Sequence, residues 1–167
     1  MVGEKDKMGL DVNLMSEATR QKIVADLAKA ELELAESKRQ IGDAAGGSHD
    51  WHDNFAYEQA TRDAQMNMTR VLGLRASLVN VQIINPRVEI ETVGIGNNVR
   101  VRFSNESVEE EYSLLGPLDA IHHPACVSYK SPLGSKLVGR RLGETVSYMV
   151  GDRTITVEIA QILPGKF

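Results

Sequence analysis

From Ser16 to Asn80 the chain has no proline, its apolar residues recur at helical spacing, and Val and Thr are sparse. That stretch can hardly fold as anything but helix. Within it Ile23, Leu27, Ala30, Leu34, Ser37 and Ile41 step alternately by four and three, the spacing of a coiled-coil seam. Ser16 stands where an N-cap belongs. A second stripe, Tyr57, Ala60, Ala64, Asn67, Val71, Leu74 and Leu78, steps by three and four, with Met66 and Met68 beside it. Between the stripes Gly46, Gly47 and Ser48 break the pattern. The spacing therefore predicts an antiparallel helical hairpin with facing seams and a turn near residues 46–53. Arms of roughly 25 to 30 residues would project about 40 Å.

From Gln82 onward the period changes. Val99 to Phe103, Glu110 to Leu115, Cys126 to Tyr129, Thr145 to Val150 and Thr154 to Ile162 are β-branched or alternating and read as strands. Gly96-Asn97-Asn98, Asn105-Glu106-Ser107 and Gly151-Asp152 supply turns, the last a tight-hairpin signal. The expected fold is α+β: a polar extension over residues 1–15 that should be disordered, a coiled-coil hairpin over 16–80, and over 81–167 a small, mostly antiparallel sheet with a short helix around Ser135 to Val138. The boundary falls near residues 80–86, where Asn85-Pro86 closes the helical half.

Composition excludes several functions. A formal net charge of -4 argues against holding nucleic acid by general phosphate neutralisation. Glu4, Lys5, Asp6, Lys7 and Asp11 interrupt any secretion-signal pattern, and no run is long enough to span a bilayer. Cys126 is the single cysteine, so no disulfide framework exists within the chain, and a cytoplasmic location is expected. Glu109-Glu110-Glu111 and Arg140-Arg141 read as solvated charge.

The hairpin turn carries the chemistry. His49-Asp50-Trp51-His52-Asp53-Asn54-Phe55-Ala56-Tyr57 puts two carboxylates three residues apart beside an Asn, at the start of the second helix. Acids there also cap a helix and favour its positive end. This run resembles the tip of the Gre transcript cleavage factors, a pattern close to G-D-x-x-E-N-x-x-Y, matched by Asp50, Asp53, Asn54 and Tyr57. Ser131-Pro132-Leu133-Gly134-Ser135-Lys136-Leu137-Val138-Gly139 is similar to that family's S-P-[ILM]-x-x-x-L-[ILM]-G element.

The resemblance covers nearly the whole chain after about residue 15 and implies a coiled-coil finger followed by an FK506-binding-protein-like (FKBP-like) domain. It implies a monomeric accessory factor whose partners are bacterial RNA polymerase and the nascent RNA 3′ end. The sheet domain would dock at the mouth of the secondary channel through Ser131, Pro132, Leu133 and Gly134. Asp50 and Asp53 would position a Mg²⁺ ion shared with the polymerase, an ion that suits oxygen ligands and two-metal phosphodiester hydrolysis. Asn54 and Tyr57 would position water or RNA, Tyr57 being equally a seam residue.

Two departures stand out: Asp53 replaces the usual Glu, one methylene shorter, and His49 replaces the usual Gly. They leave room for a paralogue that occupies the channel and regulates or inhibits without cleavage. Two other readings remain. His49, Asp50, His52 and Asp53 could ligate a transition metal as a metallohydrolase, although a further ligand would have to come from elsewhere and His122 and His123 lie in the sheet half. The sheet domain could also serve as an interaction module for some other partner.

Overall fold

The computed structural model describes residues 12–47, 55–104 and 108–167. Its chain divides into two compact units, one of residues 1–20 and 80–167, the other of 21–79.

The helical unit is carried by α1 (Glu17–Gly47) and α2 (Phe55–Ser77), of 31 and 23 residues, or about 46 and 35 Å at 1.5 Å per residue. The two stripes meet as their spacing predicts: Ala30, Leu34 and Val71 are buried together, with Leu27 and Leu74 packed against them. The polar members of the stripes also meet, Asn67 Nδ2 donating to Ser37 Oγ at 2.8 Å. Outside the seam Arg70 pairs with Glu33 at 2.7 Å and Arg75 with Glu31 at 2.6 Å. Residue numbers fall along one helix as they rise along the other, so the packing is antiparallel. Ala60 and Ala64, further members of the second stripe, are buried as well.

α2 ends at Ser77, and the chain turns through Asn80, whose φ of 51° is a left-handed conformation that Asn tolerates. It then enters β2 (Val81–Ile83), which pairs in parallel with β1 (Asn13–Met15). Here the expectation of a disordered N-terminus needs revising. Val12, Leu14 and Met15 are buried, and Val12 and Leu14 pack with Ile84 and Leu115. A three-residue strand whose partner is far along the chain leaves no periodic signal. Residues 1–11 lie outside the described residues.

The five remaining strands are β3 (Asn98–Phe103), β4 (Glu109–Leu115), β5 (Cys126–Ser128), β6 (Thr145–Val150) and β7 (Arg153–Leu163). They form one sheet in the order β5-β4-β3-β7-β6. Pairing is antiparallel except between β4 and β5, which run parallel. Along β3 the alternation is clean. Val99 and Val101 face a core shared with Leu114, Leu137, Val146, Val157 and Ile159, while Arg100 reaches Glu111 and Arg102 reaches Glu109 and Glu158 on the open face. Two members of the acidic run 109–111 are thus cross-strand ion-pair partners. Gly151-Asp152 joins β6 to β7 as a two-residue loop, with Gly151 at φ 58°, the conformation its first position demands.

Between β4 and β5 lies α3 (Pro117–His122). Its Asp119 is fully buried and accepts from the Ser16 backbone NH, the Ser16 hydroxyl at 2.6 Å and the Gly116 NH at 3.0 Å. Ser16 Oγ in turn accepts from Thr19 NH at 3.2 Å, capping α1 as its sequence position suggests. One carboxylate therefore ties the first turn of α1 to α3.

Asp119→Ala would leave the Ser16 and Gly116 NH groups without this acceptor, the Ser16 hydroxyl keeping only Thr19 Oγ1 at 3.2 Å, and is expected to lower unfolding free energy by roughly 3 kcal/mol. Asp119→Asn should cost less, because its carbonyl oxygen still accepts. Urea denaturation of the two variants checks this order; an Ala variant as stable as the parent would show that the tie is dispensable.

Candidate functional site

α1 ends at Gly47 and α2 begins at Phe55. Asp50, Asp53 and Asn54, with His49 and His52, fall in the connecting run outside the described residues. What flanks them is described. Phe55 opens α2 with its side chain 69% exposed, and Tyr57 is 40% exposed, the first member of its stripe, with burial beginning at Ala60. The start of a helix carries partial positive charge, which favours acids such as Glu58 in the first turn. On the α1 side Arg39 hydrogen-bonds Glu36 and pairs with Asp43 at 2.7 Å. Hydrogen bonds from Arg39 and then Gln40 hold the Glu36 carboxyl down to about 2. Among the described residues no three His, Cys, Asp or Glu side chains gather as a metal-holding group.

The second candidate run forms α4 (Pro132–Leu137) and its cap. The Ser131 hydroxyl oxygen accepts from Gly134 NH at 3.0 Å, and Pro132 fills the first helical position, where no NH is needed. Leu133 is only 8% exposed and belongs to the sheet core with Leu137. A Cβ on Gly134 would lie 2.0 Å from the Ser128 carbonyl oxygen, so only glycine fits. This corrects the expectation that Leu133 and Gly134 meet a partner directly. Their side-chain positions face inward, and of the four only Ser131 and Pro132 keep appreciable surface. A six-residue helix is too short to show a stripe, which is why spacing could not assign Leu133 to the core.

Two further residues answer to structure rather than chemistry. Cys126 is half-buried, and burial first, then the charge of Asp119, pushes its thiol up to about 11, leaving it protonated and unreactive at neutral pH. Asn97 is buried, accepts from Gly94 NH at 2.8 Å, and donates to the carbonyls of Glu89 and Leu163. Asp119 was the strongest organising residue missed by spacing. Its one local signal was Gly116-Pro117-x-Asp119, an N-cap, a Pro at N1 and an acid at N3.

A family model described as "Transcription elongation factor, GreA/GreB, C-term" matches residues 88–164. The transcription elongation factor GreA of Acholeplasma laidlawii is 30% identical over 146 residues, covering 87% of this chain and 85% of that protein. A Borreliella burgdorferi protein of the same name is 27% identical over 168 residues, all of this chain but only 18% of that longer protein. Among solved structures, the GreA factor homolog 1 (Gfh1) protein of Thermus thermophilus is 19% identical, with a TM-score of 0.41 over 89% of this chain and 96% of that one.

Leu133→Asp would place a carboxylate in the sheet core and is expected to destabilise by at least about 3 kcal/mol. Pro132→Ala, at an exposed position, should change stability by less than about 1 kcal/mol. Thermal and urea unfolding of both variants distinguishes a core Leu133 from a surface one, which would tolerate the charge.

Proposed function

This chain belongs to the GreA/GreB family of transcription elongation factors, and from that premise we propose that it enters the secondary channel of bacterial RNA polymerase and stimulates cleavage of backtracked RNA. It is an accessory factor: the polymerase cuts, and the helical finger supplies groups the polymerase lacks. The observation that carries this reading is the pair Asp50 and Asp53 in the run joining α1 to α2. No Lys or Arg stands within eight residues of either.

Two carboxylates three residues apart offer hard oxygen donors suited to Mg²⁺, which when bound supplies Lewis acidity toward an attacking water. Asp50 and Asp53 have the task of presenting those oxygens beside the polymerase's own acids. Asn54 orients a water or phosphate oxygen through its amide, and Tyr57 borders the transcript. The sheet unit docks at the channel mouth with Ser131 and Pro132 at the contact, Leu133 and Gly134 holding them in place from within. The factor works as a monomer in the cytoplasm.

One observation favours a second reading. Asp53 is shorter than the Glu of the family pattern by a methylene, and His49 replaces a Gly. A finger that fits the channel but reaches short would regulate without cutting.

A stalled elongation complex separates these outcomes. With the parent chain, RNA cleavage should accelerate. Asp50→Asn or Asp53→Asn should reduce that acceleration by roughly 100-fold or more while leaving polymerase affinity within about twofold. If the parent binds without stimulating cleavage and Asp53→Glu restores it, the regulatory reading holds. Near-parental cleavage by both Asn variants would sink the metal-positioning role.

A further inference from the structure

The arginines of this chain fall into two groups. Every arginine from Arg20 to Arg102 lies within ion-pair distance of an acid. Beyond Arg102 the pairing stops: among the described residues Arg140, Arg141 and Arg153 form no ion pair. Arg153 stands alone at the start of β7. The other two belong to a basic stretch. Residues 120–143 hold Lys130, Lys136, Arg140 and Arg141 and no Asp or Glu, in a chain whose net charge is -4. The acids that bound this stretch are engaged elsewhere, because Asp119 is buried and Glu144 accepts the Arg141 backbone NH at 2.8 Å.

The turn that carries the pair is pinned to the sheet unit. Val93 NH donates to the Arg140 carbonyl and Gly139 NH to the Val93 carbonyl, both at 2.8 Å, and Gly143 NH donates to the Ile159 carbonyl at 2.9 Å. Gly139 and Gly143, each at φ 79°, supply the left-handed conformations that the turn requires. Arg140 Nε donates to the Lys136 carbonyl at 3.4 Å, which sets this side chain beside the end of α4. Lys136, Arg140 and Arg141 are all exposed, and so are the interleaved Val138 and Leu142, the latter at 63%. Groups presented from a fixed backbone lose less freedom on binding than groups on a loose loop.

Unpaired cations of this kind call for an anionic partner. A nucleic-acid backbone is one candidate, but it offers nothing to Val138 and Leu142, and residues 130–144 contain no aromatic ring on which a base could stack. A protein segment with carboxylates around an apolar side chain satisfies both parts of the surface. Guanidinium groups match carboxylates in a two-pronged geometry. We propose that Lys136, Arg140 and Arg141, with Leu142 among them, recognise an acidic, partly apolar segment of RNA polymerase. This rests on the channel-binding reading and adds to it the chemistry of the docking partner. The patch lies at the end of α4 opposite Ser131 and Pro132, so the two contacts together would hold the helix at both ends.

The test measures binding of the full chain to core polymerase at low and high salt, with cleavage followed on a stalled elongation complex. The double variant Arg140→Glu, Arg141→Glu should weaken binding by roughly 30-fold at low salt and flatten its salt dependence. Its melting temperature and its cleavage rate at saturating concentration should stay parental. Lys136→Glu, read separately, should weaken binding by about fivefold, and Leu142→Ser should weaken it while leaving the salt dependence unchanged. If the double variant and Lys136→Glu both bind polymerase as the parent does, the patch is no docking site and the cleavage reading stands. If the reversals instead abolish retention of a single-stranded RNA by the free chain and leave polymerase affinity intact, the surface serves nucleic acid and the proposal is wrong. Failure of the parent chain to bind polymerase would overturn both.

Discussion

A buried carboxylate with donors rather than a cation around it is the constraint on which the sheet unit's organisation turns. Asp119 has no exposure to water, and its oxygens take the NH of Ser16, the hydroxyl of Ser16 and the NH of Gly116. Burying an ionised group without such bonds is prohibitive; with three donors, charge-assisted bonds offset the loss of hydration. The arrangement places demands on its neighbours. A Cβ on Gly116 would lie 1.8 Å from the Leu14 carbonyl oxygen, so the close approach of β1 to the start of α3 requires glycine. Ser16 must be both the cap of α1 and a donor to Asp119, which a hydroxyl can do because it donates and accepts at once. The first turn of the long helix, the end of β1 and the crossover helix α3 therefore meet at one group of bonds.

The helical unit is organised by a weaker device of the same kind. Its seam is rich in alanine and gives modest hydrophobic gain, since Ala30, Ala60 and Ala64 bury little side-chain area. Sliding one helix along the other would cost little if the seam were wholly apolar. The Asn67 to Ser37 hydrogen bond, with Ser37 also donating to the Glu33 carbonyl at 2.9 Å, has one register in which it forms. The Glu33–Arg70 and Glu31–Arg75 pairs, being exposed, add little stability but agree with that register.

Much of this was legible in the sequence, and the reasons are specific. Five strands appear within a residue or two of where alternation places them, because Val99, Val101, Val146, Val157 and Ile159 pair a strong β preference with a fixed period. The seams were legible for the same reason at a different period. What spacing could not show were contacts made by single residues over long separations. β1 is three residues long, α3 and α4 six each, and none offers a repeat to count. Spacing accordingly leaves Leu133 off every stripe although it is core, and gives no place to Asp119. For the candidate site the balance is reversed: Asp50, Asp53 and Asn54 are proposed from the sequence alone, and the structure describes what flanks them, the ends of α1 and α2 and the exposed rings of Phe55 and Tyr57.

The charges of the finger sharpen the functional argument. Near its middle, acids are matched: Glu31 with Arg75, Glu33 with Arg70, Glu36 and Asp43 with Arg39. Glu58 is reached by Arg62 at 3.8 Å, but between Arg39 and Arg62 the sequence supplies no cation, and Asp50 and Asp53 fall in that stretch. A hairpin selected only to be a stable spacer would gain by alternating signs to its end, as it does further down. Two like charges with no cation close in sequence repel one another at some cost in stability. That cost is expected where carboxylates must stay available to an ion supplied from outside the chain, because an internal Lys or Arg would compete for their oxygens. The gap in the supply of cations along the sequence is thus what the proposed metal-presenting role of Asp50 and Asp53 would require.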